Sequence, residues 1–346
     1  MSTKTIPDGY VQANHALLNE QINHLIESIL PQFEKNMKSF VTFNVAYLTL
    51  GSLEIVLLVI FFAFLAKSSI LAFSLAFVFL TFFSYFILRV YYQSKKPEQL
   101  VEIRDKFIRS CKALLNYQDG IPEHHIALSK ACCRFADNLH GREYDFYALP
   151  KWLDSYQSPI EKFSCWWHWN DIHRMKEMLL MASVEENIKL VKCEPTSLQV
   201  HAALANAYVM LSQLYVDPRK AEGYVEDQWI APDRYGPVME GNFRKTAEKA
   251  IEEFKILHHY APQDPWVHAQ LAYSYHDLKM PKEEIKEYEN ILRINPDDKD
   301  TLYKLGTLYF QQGMNAQGLR IFEELKRSNP KKAESLIKSY GSHEEK

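Results

Sequence analysis

The chain has 346 residues and a formal net charge of −3, with 40 basic residues against 43 acidic ones. This balance excludes a global field for nucleic acid, and the length suits two or three helical units better than one. The five cysteines, Cys111, Cys132, Cys133, Cys165 and Cys193, are odd in number, show no metal-ligand spacing and fall mostly in apolar helical stretches, which points to a reducing compartment.

Residues 1–40 contain an amphipathic helix. Leu18, Ile22, Leu25 and Ile29 recur at alternating four- and three-residue steps between Val11 and Leu30, and Pro31 is expected to end or kink it. The stripe is narrow. Packing on the rest of the chain is its expected role, with a short coiled coil between copies as the rival.

Residues 41–92 carry the strongest signal. From Val45 to Ala66 and from Ile70 to Val90 run two almost wholly apolar stretches, separated only by Lys67, Ser68 and Ser69. Each is roughly 20 residues long, the length a helix needs to cross a hydrocarbon core. A buried soluble helix is rarely apolar on every face for so long. The pair therefore predicts an antiparallel membrane hairpin. Some forty residues precede it and no small-residue cleavage site follows, so a cleavable signal is not expected. Lys35 and Lys38 precede the first span and Arg89, Lys95 and Lys96 follow the second, against Lys67 alone in the turn; the positive-inside rule then puts both termini in the cytoplasm. Glu54 interrupts the first span. It is expected to face the second and to bond Ser74, Thr81 or Ser84, holding the hairpin or an oligomer together; ion or proton transport, or sensing, through the hairpin is the alternative.

Residues 97–195 predict further helices. Pro97 is expected to open an amphipathic segment bearing Leu100, Ile103, Phe107, Cys111 and Leu114, stopped at Asp119-Gly120, and Pro122 to begin another reaching about Leu139. Between Tyr147 and Asn170 lies a stretch read as a loop, with Trp152, Trp166, Trp167 and Trp169 beside His168, Asp171 and His173. Tryptophans in such a place fill gaps between helices or sit in a membrane interface. A helix from His173 to about Val191 follows, closed by Pro195.

Pro262, Pro296 and Pro330 then recur every 34 residues, the mark of a helical solenoid. The last unit, TLYKLGTLYFQQGMNAQGLRIFEELKRSNP, has Leu305-Gly306, Tyr309, a turn glycine at Gly313, small Gly318, Phe322, Leu325 and Pro330. The unit before supplies Leu271-Ala272, Tyr275, Tyr288, Ile291 and Pro296, with Glu284 in place of a small residue. These residues resemble the tetratricopeptide repeat family. The physics fits: small residues let paired helices approach, aromatics fill the wedge, and proline ends the second helix. Two repeats thus occupy 264–330. Residues 198–262 read as one more, with Leu204-Ala205, Tyr208, Ala250, Phe254 and Leu257, and a Pro/Gly-rich loop at about 216–242 inserted between its helices; a decayed repeat is the rival reading of that loop. Residues 331–346 supply a capping helix, with Ala333, Leu336 and Ile337, and a tail. The fold class expected is therefore all-α: a membrane-spanning hairpin followed by an α-solenoid.

No phosphate-cradling glycine loop, nucleophile elbow, HExxH or paired zinc knuckle occurs. His168 and His173, five apart, fall on different helical faces. The adjacent pairs His124-His125 and His258-His259 read as surface or capping residues. No enzyme, metal or cofactor is expected; an enzyme sited in the tryptophan-rich segment or the insertion is the outlying alternative. The family resemblance implies a concave groove lined by the first helix of each pair, here Asn206, Trp266, Gln270, Tyr273, His276, Tyr303, Thr307 and Phe310. Together with the hairpin and its flanking charges, this leads to the expectation of a scaffold that holds a protein or peptide partner at the cytoplasmic side of a lipid bilayer, the hairpin and the N-terminal helix being the candidate contacts between copies of the chain. The bilobed hairpin with both tails on one side also resembles the inclusion-membrane proteins of obligate intracellular bacteria, whose tails face a host cytosol.

Overall fold

A computed structural model describes residues 8–65, 70–147, 155–220 and 229–341, with side chains in the first helix described from 19 to 62. The side chain of Leu18 and the residues Lys67, Ser68, Ser69, Trp152 and Gly223 lie outside this set, as does the tail from 342. Among the described residues the fold is all-α, without strands. The chain divides into two compact units: residues 1–186 with 222–234, and residues 187–221 with 235–346.

The first unit is built on two long helices, α1 (Asp8–Leu65) and α2 (Ile70–Leu114). At 58 and 45 residues, each is far longer than a bilayer is thick. Pro31 and Pro97 lie inside them, so Pro31 does not end the first helix and Pro97 does not open a new one, both of which the sequence suggested. Packing overrides the lost backbone bond. Ile22, Ile26, Ile29, Phe33, Met37 and Phe40 hold one stripe across Pro31, and Leu100, Ile103, Phe107 and Cys111 continue α2 past Pro97, all of them buried. The helices run antiparallel: Thr81 bonds Glu54, Tyr85 bonds Asn44, and Lys106 bonds Gln32.

Both helices are long and apolar enough to cross a membrane, each with an 18-residue stretch of mean hydropathy 2.3. Only 6 % and 0 % of those stretches is buried, which argues against the core of a soluble bundle. Below the hairpin, α3 (Pro122–Asn138) packs on α2 through Phe107 and Phe135, whose ring centroids are 4.7 Å apart. It bonds α4 (Gln157–Cys193) through Ser129 and Ser183, with 2.8 Å between their hydroxyls. The segment from Trp229 to Arg234 lies on α4: the Trp229 carbonyl accepts bonds from Tyr144 Oη and Cys165 Sγ.

The second unit contains α5 (Leu198–Gln213), α6 (Pro237–Tyr260), α7 (Pro265–Asp277), α8 (Pro281–Ile294), α9 (Lys299–Gln311), α10 (Asn315–Ser328) and α11 (Pro330–Ile337). They pack as α5–α6, α7–α8 and α9–α10, each pair also touching the next, with α11 on the last. Helix α6 begins at Pro237, so the inserted stretch ends there and its last residues are helical rather than loop. Repetition extends to the caps. Asp264 accepts from Trp266 N, and Asp298, 34 residues on, accepts from Asp300 N and Thr301 N. Lys279 and Gly313, also 34 apart, both turn the chain with positive φ, 55° and 72°.

The small residues do what close packing requires. A Cβ on Gly306 would sit 2.8 Å from Leu336 Cδ2 and 2.9 Å from Ile321 Cγ2; one on Gly318 would sit 2.6 Å from Phe310 Cδ1. Ala272, Ile285, Tyr288, Ile291, Leu305, Leu308 and Tyr309 form the core between the last two pairs.

Candidate functional site

The residues expected to line a groove lie on the first helices of the three pairs, and the structure sorts them. Asn206 and His276 are exposed, Trp266 is 42 % and Tyr273 46 % exposed, and Gln270, Tyr303 and Thr307 are half-buried. Trp266, Gln270 and Tyr273 share a face of α7 at four- and three-residue steps. Phe310 does not belong with them. It is fully buried against Gly318, with Leu302, Leu325, Ala333 and Leu336 around it and Tyr340 at 5.4 Å. Helix α11 covers that position, which makes Phe310 core.

The exposed aromatics are held from behind. Trp266 meets Phe254 of α6 edge to face at 6.1 Å, and Asp264 fixes its backbone. Lys304 donates to Tyr273 Oη at 2.9 Å, its ammonium 4.7 Å from the ring centroid. Lys304 was not among the expected groove residues, although it stands 34 residues after Gln270 and the repeat alone puts it on that face. His276 Nδ1 lies 3.1 Å from Glu284, a buried carboxylate on α8. Glu284 aligns with Gly318 and His276 with Phe310, so one pair holds an ion-pair contact where the next stacks a ring on a glycine.

A second substitution of this kind runs through the unit. His268 Nδ1 is 2.5 Å from Glu287 and its Nε2 3.1 Å from the Pro262 carbonyl. His201 Nδ1 is 2.7 Å from Glu253 and its Nε2 3.0 Å from the Pro195 carbonyl. In the last pair the positions of His268 and Glu287 are Leu302 and Ile321, within one apolar cluster. Burial opposes a charge on His201, but Glu253 and the Pro195 carbonyl outweigh it and raise the imidazole above its usual range.

In the first unit His125 is buried, with Nδ1 2.7 Å from Glu186 and 3.0 Å from Tyr117 Oη, so it is neither a surface nor a capping residue. His124 is half-buried and accepts from Gln118 N, in the turn before α3, at 3.0 Å; it caps no helix end. His258 is half-buried with its ring 4.9 Å from that of His268, and His259 is exposed. Helix α4 also corrects the tryptophan-rich loop: Trp166, Trp167 and Trp169 are helical. His168 is buried between the rings of Phe146 and Tyr147, with Nδ1 3.8 Å from Asp171, which Lys96 contacts at 2.6 Å. Burial and then the Lys96 charge leave His168 below its usual pKa, despite Asp171. His173 stacks on Trp169 at 4.5 Å, and burial, with Lys176 nearby, lowers it to about 4. Among the described residues no cluster of three His, Cys, Asp or Glu side chains is placed to hold a metal.

Within the hairpin, Thr81 Oγ1 donates to Glu54 Oε1 at 2.8 Å, one of the three partners expected. Glu54 Oε2 is buried and has no hydrogen-bond partner among the described residues.

No family model and no curated protein matches the chain. Among solved structures, a crystal structure of TTC0263, a thermophilic tetratricopeptide repeat protein of Thermus thermophilus, is similar at 16 % identity and a TM-score of 0.30, covering 61 % of this chain and 96 % of that one. The helices and their pairing define the class themselves: an all-α chain of stacked, antiparallel helix pairs with two long apolar helices at its N-terminal end.

Proposed function

We propose that the chain is a membrane-anchored interaction scaffold, its hairpin in a lipid bilayer and its helix pairs presenting a face to a protein or peptide partner. The observation that carries this reading is the row Asn206, Trp266, Tyr273 and His276. Two large rings, Trp266 and Tyr273, stay in solvent on α7, the first helix of the middle pair, braced by Phe254 and Lys304, while the interior is closed. Aromatic anchors with polar neighbours are what recognition surfaces are made of. Gln270, Tyr303 and Thr307 flank them. The flanking lysines and arginine favour a hairpin with both termini in the cytoplasm, and the free cysteines agree with a reducing compartment. Anchoring adds affinity by confinement, without new contacts. Copies of the chain would meet through the hairpin or the start of α1.

The test compares the full chain with a Trp266→Ala, Tyr273→Ala, Tyr303→Ala variant in proximity labelling at the membrane. Loss of specific partners at unchanged membrane content supports the face; retention of every partner rejects it. Transport through the hairpin is a second reading, favoured by the unpartnered Glu54 Oε2. It requires that Glu54→Gln abolish a measurable proton flux while leaving assembly intact.

A further inference from the structure

We propose that the N-terminal end of α4 is a second membrane contact, in which Tyr156, Phe163 and Trp166 enter the boundary between phospholipid headgroups and acyl chains. The inference rests on the hairpin being in a bilayer, and it concerns a different surface.

These three rings are 59 %, 49 % and 45 % exposed, Tyr156 just before α4 and the other two in its first turns, while Trp167 is half-buried and Trp169 buried. Phe163 lies 6.4 Å from Trp166 and 5.3 Å from Tyr147 by ring centroid, so the rings form one patch. What fixes the patch against the hairpin is Trp167. Its ring packs on Trp166 at 5.4 Å and Phe163 at 6.1 Å, on Phe40 of α1 at 5.9 Å, and under the Arg89 guanidinium of α2 at 5.1 Å. Arg89 is the first charged residue after the apolar run that starts at Ile70. The patch therefore stands at the level where α2 leaves the hydrocarbon.

That level carries the composition of an interfacial belt. Phe43, Tyr47, Tyr85 and Tyr92 pack there with centroids 4.9 to 5.7 Å apart, Arg89 also approaches Tyr85, and Lys95 stands over Tyr91 at 4.8 Å. Amphipathic rings beside basic side chains suit a phospholipid headgroup layer, where a ring keeps one edge in the acyl boundary and the other among polar groups. A protein partner would have to share this belt with lipid, because the patch is continuous with the lipid-facing surface of the hairpin. The contact would hold α4, and through Trp167 the base of the hairpin, against the bilayer.

The test uses the full chain reconstituted in phosphatidylcholine vesicles whose acyl chains are unbrominated, brominated near the headgroup, or brominated near the chain end. Flotation reports anchoring, and tryptophan fluorescence reports depth. The expected result is that the chain floats, that shallow bromines quench more than deep ones, and that Trp166→Phe removes part of this loss while Trp266→Phe leaves it unchanged. Phe163→Trp added to Trp166→Phe should restore it, which guards against a misfolded single variant. If the chain floats and Trp166→Phe changes nothing, the patch does not touch lipid and only this inference fails. If the chain does not float, the anchor reading fails and the inference falls with it.

Discussion

His201 and Glu253 meet at 2.7 Å across α5 and α6, and the other nitrogen of His201 faces the carbonyl of Pro195 at 3.0 Å. Both neighbours are acceptors, so both ring nitrogens must carry hydrogen for the two bonds to form. The pair thus fastens the second helix of its own repeat and the end of the preceding helix at one point. His268 repeats the arrangement with Glu287 and Pro262.

The first prediction concerns pH. The native state raises the His201 pKa, so its contribution is complete below the unfolded value of about 6.5 and is lost as pH climbs through the native value. His201→Asn should lower the melting temperature more at about pH 6 than at about pH 9. Melts of the detergent-solubilised chain across that range check it; a pH-independent difference would refute it.

His173 works in the opposite direction. Its native pKa is about 4, so stability is full above the unfolded value near 6.5 and falls as acid protonates the unfolded chain first. At its limit, near pH 4, the loss approaches about 3 kcal/mol. His173→Phe should flatten the acid limb of the melting curve between those pH values.

Breaking the buried pair should differ from replacing it. His268→Ala leaves Glu287 buried opposite a void and should cost about 3 kcal/mol or more. His268→Leu with Glu287→Ile copies what Leu302 and Ile321 already do one repeat later and should recover most of that loss. Chemical denaturation of the singles and the double gives the coupling.

Gly318→Ala would drive a methyl into the ring of Phe310 and should destabilise by about 1–3 kcal/mol. Phe310→Leu, costly alone, should offset part of it. Additive losses in the double variant would show that the two residues do not share a space.

Lys279 adopts φ 55° at the turn where the next repeat has Gly313 at 72°. Lys279→Gly should stabilise the chain by up to about 1 kcal/mol, since a side chain in left-handed backbone is disfavoured. A fall in melting temperature would contradict the assignment.

Several of these features were legible beforehand because their causes are local. Gly306 and Gly318 announce close helix approach, Pro262, Pro296 and Pro330 announce helix ends, and the apolar runs on either side of Lys67 announce two long exposed helices. Other expectations failed where distant packing outweighs local preference. Pro31 looks like a helix end and Pro97 like a helix start, but buried side chains on both sides of Pro31, and from Lys96 to Cys111 around Pro97, carry α1 and α2 through them. Trp166 to Trp169 look like a loop because aromatic and histidine residues mask the helical period, and only their packing on Phe40, Arg89 and the Trp229–Arg234 segment shows why they are helical. Phe310 occupies a groove position by repeat count, yet α11 closes over it.

The sequence alone determined that the chain is helical, where its pairs repeat, and which stretch is apolar on every face, since helix propensity, proline geometry and hydropathy act over a few residues. The tertiary structure decided which ionisable side chains are buried and with whom. His125 with Glu186, His201 with Glu253 and His268 with Glu287 are separated by 61, 52 and 19 positions, and only folding brings each imidazole to its carboxylate. It also decided which aromatics stay outside, because burial depends on what the neighbouring helices cover.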